Sequence, residues 1–138
     1  MNRPRFHLAF PVNAIETTRA FYADVLGCTV GREAARWIDF DFFGHQLSAH
    51  LVDDHAKDAY NAVDGKQVPT RHFGVILAWR EWELLAVRLR EAGITFLVEP
   101  YVRFAGEAGE QGTFFVQDPS GNALELKAFT DIKMLFAK

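Results

Sequence analysis

Two stretches of the sequence, Arg5-Phe-His-Leu-Ala-Phe-Pro-Val12 and Arg71-His-Phe-Gly-Val-Ile-Leu77, share one pattern and decide the fold. Both are β-prone runs, and both place a histidine two residues before a small residue, Ala9 or Gly74. A pattern that returns in the second half of a chain indicates an internal repeat. We therefore expect two copies of one structural module.

A helical pattern follows each of these strands and ends at a glycine. Residues suited to a buried helix face recur at three- and four-residue spacing before Gly27 and again before Gly93. Glycine is the common stop at the carboxyl end of a helix. The recurring residues are Thr18, Phe21, Tyr22 and Val25 in the first half, and Trp82, Leu85, Ala86 and Leu89 in the second.

Three more strands are predicted after each helix. A β-prone run comes first, Cys28–Val30 or Ile94–Val98, and two further strands are joined by a turn of the form Asp-x-x-Gly. That turn is Asp41–Gly44 in one half and Asp118–Gly121 in the other. Each half therefore reads as strand, helix and three strands, and the predicted fold class is α+β with two βαβββ modules.

One domain accommodates the whole chain, because 138 residues is an ordinary size for a single compact domain. Module one covers about residues 5–52, a polar linker about 53–70, and module two about 71–130. His55, in the linker, is expected to be solvated. The second module contains an insert, Glu99–Gly112, which is a candidate lid, with a solvated surface loop as the alternative.

Composition limits the classes of partner. The formal charge is −3, and Lys and Arg are scattered singly, so no basic stripe is present for nucleic acid or an anionic membrane. Cys28 is the only cysteine, which excludes an internal disulfide and a CxxC pair. No apolar run approaches the roughly 20 residues of a membrane helix, and Pro11 and Asn13 interrupt the N-terminal one. We expect a cytoplasmic protein that binds a small molecule.

Strand parity predicts a metal site. Side chains alternate between the faces of a strand, so His7 shares a face with Ala9, and His72 shares one with Gly74. Glu125 points away from the leucines on either side of it. Pseudo-twofold packing of a duplicated unit would bring the histidines together, and two imidazoles with one carboxylate form the facial triad that binds non-haem Fe(II). Taken singly, each would be a core or surface residue.

The chain resembles the vicinal oxygen chelate superfamily, which includes glyoxalase I, extradiol dioxygenases, fosfomycin-resistance thiol transferases and bleomycin-binding proteins. The resemblance implies a cup-shaped mixed sheet around a central site, a homodimer, and His7, His72 and Glu125 as the metal ligands. It is closest to small bacterial proteins predicted to be related to extradiol dioxygenases. The matching segments are Phe6–Val12, Thr18–Tyr22, Leu26–Gly27, Trp37–Gln46, His72–Gly74, Glu99–Phe104 and Asp118–Glu125.

The glyoxalase I pattern is not fully met in the first module. Aligning the two Asp-x-x-Gly turns places Ser48 opposite Glu125, at a position where glyoxalase I has a fourth, acidic ligand. Gln46 and His50 share the parity of Ser48 and are expected to face the cup with it. His50 is a candidate general base or substrate contact, with a rim histidine as the alternative, and Gln46 and Ser48 are candidate substrate-binding residues.

The extradiol pattern is also met only in part. Phe115 stands where the resemblance places a tyrosine, and residues 106–108 occupy the region of a catalytic histidine. Tyr101 and Arg103 are therefore candidate catalytic residues, as an acid or a cationic anchor, with plain surface positions as the alternative. Gln111 and Phe115 are candidate substrate-binding residues.

These observations support three functional hypotheses. The first is a metal-dependent, dioxygenase-type enzyme for a substrate with two vicinal oxygens, in which Fe(II) is favoured and Mn(II), Zn(II) or Ni(II) are alternatives. The second is a metal-free protein that sequesters a drug or metabolite, as bleomycin-binding relatives do, although the intact ligand set argues against it. The third is a glyoxalase-type or thiol-transferase-type enzyme.

Overall fold

The computed structural model describes residues 3–54 and 60–138, so His55 lies outside the described residues. The first half contains one helical region and four strands in the predicted order. Its elements are β1 (His7–Val12), α1 (Ile15–Arg19) with a π-helical continuation (Ala20–Val25), β2 (Thr29–Ala34), β3 (Trp37–Phe42) and β4 (His45–Leu51).

The second half repeats this order after a short hairpin. Its elements are β5 (Tyr60–Val63) and β6 (Lys66–Pro69), then β7 (Phe73–Leu77), α2 (Trp79–Glu91), β8 (Phe96–Arg103), β9 (Gln111–Gln117), β10 (Ala123–Phe129) and a 3-10 segment (Ile132–Phe136). The hairpin lies in the segment for which the sequence predicts only a polar linker.

Each module forms its own four-stranded mixed sheet. The strand order is β1-β4-β3-β2 in the first sheet and β7-β10-β9-β8 in the second, and the hairpin β5-β6 is a separate two-stranded sheet. In both four-stranded sheets the first and last strands of the module pair in parallel, and the remaining pairs are antiparallel. The α+β class with two βαβββ modules is confirmed.

The predicted helix ends and turns form as the sequence indicates. Gly27 and Gly93 both adopt positive φ angles, of 80° and 77°, which a glycine reaches without steric penalty. In the first turn the backbone N–H of Gly44 donates to Asp41 Oδ1 over 2.7 Å. In the π-helical continuation Leu26 N–H donates to Phe21 O over 2.9 Å, and this wide turn leaves both Phe21 and Tyr22 buried.

Most of the insert in the second module belongs to the sheet. Strand β8 runs to Arg103 and β9 begins at Gln111, so only residues 104–110 form a loop. The loop is held by Glu110, which accepts hydrogen bonds from the backbone of Gly106 over 2.7 Å and from the hydroxyl of Thr130 over 2.8 Å. These bonds tie the loop to its own base, so the segment is better described as a strand connection than as a lid.

The chain divides into two compact units, Met1–Lys57 with Asp118–Asn122, and Asp58–Gln117 with Ala123–Lys138. The core of the first unit is aromatic, with Tyr22 in contact with the rings of Phe10, Phe21 and Phe40. In the second, Trp82 of α2 packs on Phe114 and donates its indole N–H to Leu126 O over 2.9 Å. No helix among residues 3–54 and 60–138 is long and apolar enough to span a bilayer.

Candidate metal and substrate site

His72 and Glu125 lie side by side in the second unit. His72 directly precedes β7, and Glu125 is the third residue of β10, the strand that pairs with β7 in parallel. His72 Nε2 is 3.4 Å from Glu125 Oε1, and the two side chains are 30% and 16% exposed. The other carboxylate oxygen of Glu125 accepts a hydrogen bond from the hydroxyl of Thr113 over 2.5 Å.

The contacts of His72 determine which ring nitrogen carries hydrogen. Its Nδ1 is 2.8 Å from the carbonyl oxygen of Pro69, and a carbonyl only accepts hydrogen bonds, so Nδ1 is the protonated nitrogen. Nε2 is then directed at Glu125, which also accepts when ionised. Two facing acceptors are stable only with a proton or another cation between them.

The pKa shifts of the pair follow from this arrangement. The hydrogen bond with Glu125 raises the pKa of His72, against the opposing effect of burial. Burial alone would raise the pKa of Glu125, but hydrogen bonds from His72 and Thr113 and the charge of Lys127 outweigh it and lower that pKa. These shifts favour a protonated His72 beside an ionised Glu125. An imidazole whose Nδ1 is held by a carbonyl is oriented as metal-binding histidines are.

Gly74 is the residue that allows β7 to approach β10 at Glu125. A Cβ atom at position 74 would stand 1.6 Å from the carbonyl oxygen of Glu125 and 2.7 Å from its carbonyl carbon. Because both are backbone atoms, only a movement of the strand would relieve the contact. The small residue that parity places beside His72 is thus required by the backbone of Glu125.

A pocket of about 190 Å³ opens beside the His72–Glu125 pair in the second unit. Apolar cavities of about 150 Å³ bind benzene, so this volume suits a molecule the size of one substituted ring. Apolar residues of the hairpin and the sheet form part of the wall, and polar and charged groups form the rest. The lining residues are Val63, Val68, His72, Val98, Tyr101, Arg103, Thr113, Phe115, Glu125 and Lys127.

Tyr101 and Arg103 line this pocket and both contact Asp64, at the tip of the hairpin. The Tyr101 hydroxyl donates to Asp64 Oδ2 over 2.9 Å, and Arg103 Nε lies 2.7 Å from the same oxygen, an ion-pair distance without hydrogen-bond geometry. Burial and the Asp64 carboxylate raise the pKa of Tyr101 to about 12. Tyr101 therefore stays protonated near neutral pH and acts as a hydrogen-bond donor.

Phe115 lies in the pocket, whereas Gln111 does not line it. Phe115 is 4% exposed, and its ring meets that of His72 edge to face with centroids 5.0 Å apart. Gln111 shares the parity of Phe115 on β9 and is buried, with Oε1 lacking a hydrogen-bond partner within the described part of the chain. Phe115 is therefore placed to contact a ligand of this pocket.

The first unit orients His7 through a chain of hydrogen bonds. Gln46 Nε2 donates to Asp39 Oδ2 over 3.3 Å, and since a carboxylate only accepts, this bond fixes the orientation of the amide. Gln46 Oε1 then faces His7 Nδ1 at 2.8 Å, so Nδ1 carries the hydrogen of this bond and Nε2 takes no part in it. His7 and His72 therefore both have Nδ1 held by an oxygen acceptor.

Ser48 and His50 follow Gln46 on the same face of β4. The Ser48 hydroxyl donates to Asp39 Oδ1 over 2.7 Å, so a carboxylate stands beside the position that the sequence alignment pairs with Glu125. His50 is exposed at the end of the strand, opposite Pro11 and Trp37, and its side chain makes no hydrogen bond with the residues that the structure describes. Gln46 and Ser48 thus belong to one network, and His50 stands outside it.

Within residues 3–54 and 60–138 no group of three or more His, Cys, Asp or Glu side chains is arranged as a metal site. The three predicted ligands are distributed over both units, with His7 in the first and His72 and Glu125 in the second. The triad therefore stays a prediction.

Four residues that support these sites were not identified from the sequence. Asp39 pairs with the predicted residue Ser48, and Thr113 pairs with Lys127, which follows Glu125 by two positions. Strand parity was therefore the signal that could have placed all three on the same faces as the predicted residues. Asp64 precedes a glycine in a turn-prone dipeptide, which signals a hairpin but not a contact with Arg103, 39 positions away.

Comparisons with known proteins agree with this fold. The family model of the Glyoxalase/Bleomycin resistance protein/Dioxygenase superfamily matches residues 6–126. A glyoxalase/bleomycin resistance protein/dioxygenase from Alicyclobacillus acidocaldarius is 34% identical, with a TM-score of 0.80 and 96% of each chain covered. No curated protein sequence matches the chain.

Two more distant structures share the fold. A genomically encoded fosfomycin resistance protein from Listeria monocytogenes has a TM-score of 0.72 at 16% identity, covering 97% of this chain and 98% of its own. A lactoylglutathione lyase from Agrobacterium tumefaciens has a TM-score of 0.66 at 15% identity, covering 99% and 98%.

Proposed function

Because the chain belongs to the Glyoxalase/Bleomycin resistance protein/Dioxygenase superfamily, we propose that it is a metal-dependent enzyme acting on a small substrate with two neighbouring oxygens. The reaction we favour is of the dioxygenase type. The observation that carries the proposal is the His72–Glu125 pair, in which an imidazole nitrogen and a carboxylate oxygen face each other 3.4 Å apart, a position that a proton or a metal ion can occupy.

The donor set fits a divalent metal. His7, His72 and Glu125 would hold it, and two imidazoles with one carboxylate suit Fe(II) first, with Mn(II), Zn(II) or Ni(II) as alternatives. When bound, such an ion supplies a Lewis acid with open positions for two substrate oxygens and, in the case of iron, access to dioxygen chemistry. Gln46 and Thr113 hold the ligands in orientation, as outer-shell groups do.

The remaining residues of the pocket would bind and orient the substrate. The edge of Phe115 and the valines of the hairpin and sheet exclude water from the body of the ligand. Tyr101, whose raised pKa keeps it protonated, would donate its one hydroxyl hydrogen to a substrate oxygen in place of Asp64. His50 remains a proposed general base or substrate contact.

A metal titration tests the proposal. Protein stripped with a chelator should melt several degrees higher after addition of Fe(II) under anaerobic conditions, since a ligand at 100 times its Kd stabilises by about 2.7 kcal/mol. His7→Ala, His72→Ala and Glu125→Gln should each abolish this rise, and double variants should lose little more. Oxygen uptake with catechols then tests the reaction.

His45→Ala is the matched control for the histidine variants. His45 Nδ1 accepts a hydrogen bond from the backbone of Phe6 over 3.0 Å, so its loss should lower stability slightly and leave the metal-induced rise intact. If Fe(II), Mn(II), Zn(II) and Ni(II) all fail to raise the melting temperature, the metalloenzyme proposal is wrong. A metal-free protein that sequesters a drug or metabolite then becomes the better interpretation.

Asp39 supports a second candidate function, an isomerase of the glyoxalase type. Ser48 stands at the position where glyoxalase I has an acidic ligand, and the Asp39 carboxylate lies 2.7 Å from Ser48 Oγ. Asp39 would therefore accept a substrate proton near that position. Formation of lactoylglutathione without oxygen uptake, abolished by Asp39→Asn, would favour this reaction. Oxygen uptake that survives Asp39→Asn would favour the dioxygenase type.

We also propose that two chains form a homodimer. Strands β1 and β2 flank the first sheet and β7 and β8 the second, and outer strands are commonly covered by a partner chain. Sedimentation at micromolar concentration should show a dimer, and a single monomeric species would contradict this.

A further inference from the structure

The strand register of the second unit places three polar or cationic side chains on the pocket side. Tyr101 pairs with Thr113 and Thr113 with Lys127, so these residues form one row across β8, β9 and β10. Arg103 follows Tyr101 by two residues on β8, and Glu125 precedes Lys127 by two residues on β10. Arg103 and Glu125 therefore lie on opposite sides of this row. Alternate positions are roughly 7 Å apart along a strand, so Arg103 lies toward the end of the pocket away from Glu125, and Lys127 stands between the two.

The Tyr101 hydroxyl and the Arg103 guanidinium both contact one carboxylate oxygen. The Tyr101 hydroxyl and Arg103 Nε are 2.9 Å and 2.7 Å from Asp64 Oδ2. Asp64 is not a wall of the pocket but the tip of the hairpin, where it adopts a left-handed φ of 51° that is unfavourable for aspartate compared with glycine. The protein thus places its own carboxylate, on the hairpin turn, against the polar groups of two residues that line the pocket.

The charges of the pocket are unbalanced without Asp64. Arg103 and Lys127 are the cations among its lining residues, and Glu125, already engaged with His72 and Thr113, is the anion. Lys66 adds a further positive charge, with Nζ 4.1 Å from the centre of the Tyr101 ring. A ligand that carried a carboxylate would therefore meet donors and positive charge at this end.

We propose that Tyr101, Arg103 and Lys127 form an anion-binding subsite, so that the substrate is a small carboxylate whose neighbouring oxygens lie at the Glu125 end and whose charged group lies at Arg103. Asp64 occupies the Arg103–Tyr101 end of this subsite until the ligand displaces it. The inference rests on the proposed function only in taking this pocket as the substrate site. The apolar stretch of wall formed by Val98 and Phe115 matches an apolar or aromatic body between the two ends.

A metal-free titration tests the subsite. Benzoate, phenylphosphonate and the neutral benzamide are added to the full chain in the presence of a chelator, and binding is followed by the NMR signals of the Arg103 Nε–H group. Benzoate should bind about tenfold more tightly than benzamide, as expected for one charge-assisted hydrogen bond. Phenylphosphonate binding more tightly than benzoate would overturn the assignment to a carboxylate.

Three variants identify the residues responsible. Arg103→Gln should remove the preference for benzoate, and Asp64→Asn should strengthen benzoate binding several-fold because the competing carboxylate is neutral. Arg80→Gln, at an exposed position of α2, is the control and should change nothing. Equal binding of benzoate and benzamide, binding of neither, or weaker benzoate binding by Asp64→Asn would each overturn the proposal. Since no metal is present, these outcomes are separate from those of the metal titration.

Discussion

Tyr22 donates its hydroxyl hydrogen to Asp118 Oδ2 over 2.9 Å, and both side chains are almost completely buried although 96 positions separate them. Asp118 also accepts hydrogen bonds from the backbone N–H groups of Ser120 and Asn122 and from the Asn122 side chain, each at 2.9 Å. Burial raises the pKa of Asp118, and these hydrogen bonds oppose the rise. The two oxygens of this carboxylate accept all of these hydrogen bonds from within the fold, so the aspartate of the Asp-x-x-Gly turn is structural.

Removing the Tyr22 hydroxyl should therefore destabilise the protein without affecting the metal. Tyr22→Phe is expected to lower the free energy of unfolding by about 1–3 kcal/mol, because a buried carboxylate loses one donor. Urea denaturation measures the loss, and a double-variant cycle with Asp118→Asn should show coupling between the two residues. A variant as stable as the parent would show that the bond contributes nothing.

Thr113→Val should weaken metal binding more than it weakens the fold. Valine has nearly the shape of threonine but cannot donate to Glu125, and loss of an outer-shell bond typically reduces metal affinity by about 10–100-fold. Thr113→Ser keeps the hydroxyl and is the matched control. Calorimetric titration with the metal provides the affinities, and equal values for the valine and serine variants would contradict this role.

Gln46→Leu should lower metal affinity through His7. Without the amide oxygen, His7 Nδ1 loses its acceptor, and the ring is no longer held in one orientation. The metal affinity is therefore expected to fall about tenfold. Gln46→Glu retains an acceptor at this position and should lose less. If the Gln46→Leu and Gln46→Glu variants bind metal equally well, the hydrogen bond does not orient His7.

Gly74→Ala should be strongly destabilising, since the added carbon would overlap the Glu125 carbonyl and only movement of β7 relieves it. Overpacking costs about 1–3 kcal/mol even where side chains can adjust, and here the obstacle is backbone. Gly31→Ala is the control, because a Cβ there meets nothing closer than 3.5 Å. Urea denaturation should separate the two, and similar stabilities would disprove the close contact.

Ionisation of Tyr101 should depend on Asp64. Burial and the neighbouring carboxylate both favour the neutral phenol and raise its pKa to about 12, so Asp64→Asn should lower that pKa toward the ordinary value while burial keeps it above 10. Because folding raises the pKa of Tyr101, its neutral phenol contributes its full stabilisation of the fold below about pH 10. This contribution is lost as the pH rises toward 12. A carbon-13 NMR titration of the Tyr101 ring measures this pKa. The same pKa in the parent and in Asp64→Asn would contradict the contact.

Periodicity and parity predicted much of the fold and of each site. Helix spacing identified Trp82 and Leu89 as buried, and strand alternation assigned Gln46 and Ser48 to one face of their strand, because both signals are local. Contacts between side chains that are distant in sequence were not predictable in this way. Asp64 reaches Tyr101 only because the hairpin packs Val63 and Val68 on the second sheet.

Strand parity places a small residue on the same face as each histidine, but it does not give the reason for the small size. At Gly74 the requirement comes from the backbone of Glu125, whereas Ala9 occupies the corresponding position of the first module with a Cβ in place. Only the contacts in the structure show that the two positions differ in this respect.

The contact between Gly74 and the Glu125 backbone limits how this protein can evolve. Any side chain at position 74 would move the strand that carries a proposed ligand, so mutation cannot reshape that part of the pocket gradually. The hairpin and β8 contribute lining side chains without this restriction. Natural or laboratory selection for a new substrate should therefore accumulate its changes in the hairpin and in β8, while position 74 stays invariant.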